Sequence, residues 1–205
     1  MTKTTSKGFF HLFAAIITLV AFSNVSFAGI LNGHAGAFGG VTGSVPFDNG
    51  VGLSGSIDYA VFTAASFNTN FSGLGYVPGD ALVYTYQLNI AGNLGASAEI
   101  IGISNPANTI GTFNIGDQDA SSASFTPNAR WLFSPEIPTG MSSWGLAFSS
   151  PNLPIVGASL TIDGGTQALV AGVPTPGPLA IPEPASIALL ASCSMCLFIS
   201  RRRGR

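Results

Sequence analysis

From Pro78 to Gly165 the chain is punctuated by turn-forming groups at intervals of about 10 to 14 residues. They are Pro78-Gly79-Asp80, Gly92-Asn93, Asn105-Pro106, Gly116-Asp117, Pro127-Asn128, Pro138-Thr139-Gly140, Pro151-Asn152 and Asp163-Gly164-Gly165. Each reverses the chain for a physical reason: Pro presets φ, Gly admits positive φ, and Asn and Asp bond their own backbone. Stretches of that length between turns suit short strands, and none carries a sustained 3.6-residue period of helix formers. The expected fold class is all-β.

The clearest strand is 81–91, where Leu82, Tyr84, Tyr86, Leu88 and Ile90 alternate with Val83, Thr85, Gln87 and Asn89. Side chains alternate between the faces of a strand, so one face is expected to pack and the other to be wet. Ile57, Tyr59 and Val61 repeat the pattern in 56–62. Further strands are expected at 98–104, 109–115, 122–125, 130–134, 144–149, 157–163 and 166–173. This set fits an antiparallel two-sheet β-sandwich over residues 29–173, with jelly-roll and immunoglobulin-like topologies both open. The stretch 29–180 contains no Cys, so no disulfide can staple the domain, and its stability must come from apolar burial.

Charge narrows the function. Eight of the nine carboxylates lie in 29–180, against Arg130 as the one Lys or Arg there. Nucleic-acid binding, which needs a basic face, is excluded. With no Lys, no Cys and the single His34, that stretch also lacks most side chains that serve as nucleophiles or bases. Enzymatic activity and a cofactor are not expected.

Both ends of the chain look like addresses. Residues 1–28 begin with Lys3 and Lys7, continue with an apolar run over 9–22, and finish with Ser26-Phe27-Ala28. That order describes a secretory signal peptide, cut by signal peptidase between Ala28 and Gly29. At the other end, Pro174, Pro176, Pro178, Pro182 and Pro184 make 174–184 a semi-rigid spacer. An uncharged, mostly apolar run over 185–200 follows, and Arg201, Arg202, Arg203 and Arg205 close the chain. As a helix the run would span about 24 Å, short for a hydrocarbon core of ~30 Å but tolerable with local thinning. The arginines resist translocation and would hold the tail on the cytoplasmic side. Pro182 and Pro184 keep the residues before them extended, which exposes the segment to a protease.

Pro182-Glu183-Pro184, the short hydrophobic helix and the terminal arginines together resemble the PEP-CTERM sorting signal of Gram-negative and related bacteria. The resemblance covers residues 181–205. It implies recognition of Pro182, Glu183 and Pro184 by an exosortase-type membrane processing enzyme, transient residence in the inner membrane through 185–200, and Arg201, Arg202, Arg203 and Arg205 as the stop signal. It further implies delivery to the cell surface or matrix, in association with exopolysaccharide.

Several other residues are candidates for chemistry. Asp117 and Asp119 would share one face if extended, and hard oxygen ligands of this kind suit Ca²⁺, but they are too few for a motif and a solvated turn is the simpler reading. Asp117, Asp119 and Glu136 are also the carboxylates on which a glycoside hydrolase would have to be built. Tyr59, Tyr76, Trp131 and Trp144 could form a carbohydrate-stacking platform, but core packing is favoured, since aromatics in small sandwiches are mostly buried. His34 stands in a Gly-rich leader expected to be a flexible loop. Cys193 and Cys196 have redox spacing but fall inside the apolar run, where thiols stay protonated.

Overall fold

The structure, a computed structural model, describes residues 29–103, 107–125, 128–163 and 166–178. Its strands are β1 (Thr42–Asp48), β2 (Ser54–Thr63), β3 (Leu82–Ile90), β4 (Ala96–Ile101), β5 (Ile110–Phe113), β6 (Ser122–Phe125), β7 (Ala129–Ile137), β8 (Gly145–Ser150), β9 (Pro154–Asp163) and β10 (Thr166–Pro176). Among the described residues one α-helix, α1 (Ala64–Phe71), follows β2, and a short 3-10 turn (Phe38–Gly40) precedes β1. The strands form two five-stranded sheets, ordered β1-β2-β3-β8-β5 and β10-β9-β4-β7-β6. All neighbours within each sheet run antiparallel. The expected all-β class and its antiparallel sheets are therefore present.

Between the sheets lies one shared core. Ile57, Val61, Tyr84, Tyr86, Leu88 and Phe148 come from the first sheet, and Ile101, Trp131, Phe133, Ala168 and Val170 from the second. Each large apolar side chain taken fully out of water contributes about 1.5 to 3 kcal/mol, so a cysteine-free domain has its stability here. Trp131 is wholly buried, with its ring 6.4 Å from Phe148, and its indole N–H donates to the Gly111 carbonyl at 2.9 Å.

The outer face of the first sheet departs from expectation. Every residue of β3 is buried, so the face carrying Val83, Thr85, Gln87 and Asn89 is not wet. A second apolar layer covers its upper half. Thr63 caps α1 by accepting from the Ser66 amide at 3.1 Å, and Phe67 and Phe71, one helical turn apart, face the sheet together. Their rings meet Phe62 and Phe113 with centroid separations of 5.1 to 6.2 Å. The segment before β1 is part of this layer rather than a loose loop. Leu31 is wholly buried and the His34 ring sits edge-on to Phe62 at 5.0 Å. Thr42 fastens the segment to β1, donating its hydroxyl to the Leu31 carbonyl and accepting from the Gly33 amide.

β10 runs three residues further than expected, with Pro174 paired to Val156 and Pro176 to Pro154. Prolines are admissible because β10 is an edge strand, where one side of the backbone needs no donor. The spacer thus begins after Pro176. The expected signal peptide over 1–28 and the tail over 181–205, including Pro182, Glu183, Pro184, Arg201, Arg202, Arg203 and Arg205, lie outside the described residues. Among those described, no helix is long and apolar enough to cross a membrane.

Candidate functional site

The lower half of the same outer face is polar. In the β2–β3 register Asp58 stands opposite Gln87 and Ser56 opposite Asn89, and paired residues of antiparallel strands project to the same side. The sequence alternation that sends Ile57, Tyr59, Tyr86 and Leu88 inward sends these four outward. There they meet two covers: the backbone at Gly29-Ile30, and the turn at 140–143 leading into β8. Between the covers lies a cleft of about 200 Å³, lined by Gly29, Ile30, Gln87, Asn89, Asp117 and Ser142 among others.

Hydrogen bonds fix its walls. The Gln87 amide donates to the Ser143 carbonyl at 3.1 Å and the Ile115 carbonyl at 3.3 Å. Ser143 in turn accepts from the Leu88 amide at 2.9 Å. Asp117 accepts from the backbone amide and the hydroxyl of Ser142, at 2.8 and 3.0 Å, which ties the loop after β5 to the turn before β8.

At the base of this network is Asp58, wholly buried. Its Oδ2 accepts from the Asn89 side-chain amide at 3.1 Å and from the Gly29 backbone amide at 2.9 Å. Its Oδ1 is buried without a hydrogen-bond partner. A carboxylate taken from water and left half-satisfied costs free energy unless a donor or cation completes its shell. Among the described residues the one Lys or Arg, Arg130, is exposed on β7 of the other sheet, and the His34 ring is engaged with Phe62 and Phe71 in the aromatic layer.

The residues singled out in the sequence take varied places. Asp117 and Asp119 are both exposed, and Asp117 is engaged with Ser142. Among the described residues no group of three or more His, Cys, Asp and Glu could hold a metal ion. Glu136 is exposed on β7, with its carboxylate beside Gly95. Trp131 and Tyr76 are buried, the first between the sheets and the second in the aromatic layer, so the four aromatics do not make one exposed row. Tyr59 and Trp144 are half-buried. His34 accepts at Nδ1 from the Gly36 amide at 3.0 Å.

Asp58, Gln87 and Asn89 escaped the sequence reading. A carboxylate within an alternating strand looks like an ordinary wet-face residue, and only the cover at Gly29 makes it a buried one. Two predicted positions are brought into this site: Gly29, expected as the residue after the cleavage point, and Asp117, a candidate cation ligand.

Compared with known families, characterised proteins and solved structures, the chain matches none.

Proposed function

We propose that the chain is the precursor of an exported, non-enzymatic surface or matrix protein, made of a delivered β-sandwich body and two removable addresses. Residues 1–28 form the signal helix that directs export and is cut after Ala28. The body begins at Gly29. Residues 185–200 form a transmembrane helix, held by the arginine cluster, until an exosortase-type enzyme processes the chain near Pro182-Glu183-Pro184. The released body then acts in the envelope or extracellular matrix beside exopolysaccharide.

The observation that carries this reading is how the fold closes. Among the described residues the ten strands fall between Thr42 and Pro176, and the body fastens its own ends. The Gly29 amide donates to Asp58, and the Gly177 amide to the Leu153 carbonyl at 2.8 Å. The buried positions of Trp131 and Tyr76 remove the support that a four-aromatic carbohydrate platform would need, which leaves a scaffold role ahead.

Intact mass of the protein recovered from envelope and medium tests the proposal. Material beginning at Gly29 and lacking the arginine terminus is expected. Full-length material in both fractions would overturn it.

A further inference from the structure

We propose that Asp58 is the receptor for the α-ammonium group created by cleavage between Ala28 and Gly29, so that removal of the leader completes the fold with a buried ion pair. This rests on the cleavage position in the reading above and adds to it a binding site inside the body. Hydrolysis adds water across the Ala28–Gly29 bond. The hydroxyl goes to the Ala28 carbonyl carbon, which leaves as a carboxylate, and the freed Gly29 nitrogen takes up protons to become an ammonium.

In the structure the Gly29 peptide nitrogen stands in for that ammonium nitrogen, and it already lies 2.9 Å from Asp58 Oδ2. As a peptide it offers one donor; as an ammonium it offers three. The additional donors have acceptors at hand. Asp58 Oδ1 is buried with no partner. The side-chain oxygen of Gln87 lies on the same side, 2.9 Å from where a Cβ on residue 29 would stand. Asp117, lining the same cleft, adds negative potential and no competing cation. A buried carboxylate with an orphan oxygen, no Lys or Arg among the described residues facing it and the Gly29 nitrogen against it is a half-built ion pair.

Glycine at residue 29 lets the nitrogen approach this closely. A Cβ there would run into Asp58 Oδ2 and crowd Gln87, so a larger residue would require the Asp58 and Gln87 side chains to shift.

The composition supplies an unusually clean probe. The chain contains no lysine after Lys7, so a body starting at Gly29 has the α-amine as its sole primary amine. The full-length gene is expressed in an exporting host, and the released protein is treated with the N-hydroxysuccinimide ester of acetic acid at neutral pH. One added acetyl group is followed by intact mass. Acylation needs the neutral amine, which a neighbouring carboxylate disfavours, so native protein is expected to label about tenfold or more slowly than protein unfolded in urea. Native Asp58→Asn is expected to label close to the unfolded rate, and acetylated wild type to melt several degrees below the unmodified protein.

The starting mass separates the two ideas. A body that does not begin at Gly29 sinks the cleavage reading and this proposal together. A body that does begin there but labels equally fast native and unfolded, or that melts unchanged after acetylation, overturns this proposal alone. So does slow labelling retained in Asp58→Asn, which would mean shielding without an ion pair. The wild-type comparisons need no variant, so they decide the matter even if Asp58→Asn fails to fold.

Discussion

The hydroxyl of Tyr86, in the middle strand of the first sheet, donates to the carbonyl of Pro174 in the edge strand of the second, 88 residues further along the chain. The bond joins the centre of one sheet to the last three paired residues of the other. Tyr86→Phe leaves that carbonyl buried and unpaired and is expected to cost about 1 to 3 kcal/mol in urea unfolding. Ending the chain after Val173 should cost more, since it also removes the pairing of Pro174 to Pro176 with β9. Ending it after Pro178 should leave the midpoint unchanged.

Phe67 stands at the centre of the aromatic layer, with ring centroids 5.1 Å from Phe113, 5.2 Å from Phe71 and 5.5 Å from Tyr76. Phe67→Ala opens a cavity among stiff rings that cannot collapse to fill it. A loss of about 3 to 5 kcal/mol is expected by chemical denaturation.

Gly145 pairs with Phe113 between β8 and β5, and a Cβ at residue 145 would collide with the Phe113 ring. Gly145→Ala should therefore destabilise by about 1 to 3 kcal/mol through overpacking. Combining it with Phe113→Leu should recover part of that loss, a non-additivity that a double-mutant cycle measures directly.

Burial raises the hydroxyls of Tyr84, Tyr86 and Tyr76 above the ordinary tyrosine value of 10.0. For Tyr86 the neighbouring Tyr84 and Glu99 push the same way; for Tyr76 the bonds to Thr109 and Ser149 oppose the rise. A raised acid favours the folded state while protonated. The contribution is therefore complete below pH 10 and is lost above it, as the unfolded chain ionises first. Tyrosinate absorbance from these three should rise together with loss of the far-ultraviolet β signal, in one alkaline transition.

Glu183→Ala removes the only charge in Pro182-Glu183-Pro184. Under the sorting proposal it should leave arginine-terminated protein in the inner membrane, detected by intact mass of membrane fractions. Release equal to wild type would contradict the proposal.

Strand positions were legible because turn chemistry and alternation are local. The expected 122–125 matches β6, and 81–91 brackets β3 within a residue at each end. What the pattern could not show was what lies over a polar face. Gln87 and Asn89 read as wet because alternation reports which residues share a side, whereas their burial depends on Gly29 and Ser143, distant in sequence. α1 escaped because Ala64–Phe71 is too short for a helical period to stand out, and its fit depends on Phe62 and Phe113 waiting beneath it. Pro174 and Pro176 read as spacer because proline breaks ladders in general, and only the edge position of β10 admits them.

β3 is covered on one side by the opposite sheet and on the other by α1 and the leading segment, and it is flanked by β2 and β8. Its amides therefore have no partial opening that exposes them without stripping off an entire neighbouring layer. In deuterated solvent they should exchange last, at a rate set by whole-molecule unfolding. The centre of the body is thus the last part to open when the fold is challenged.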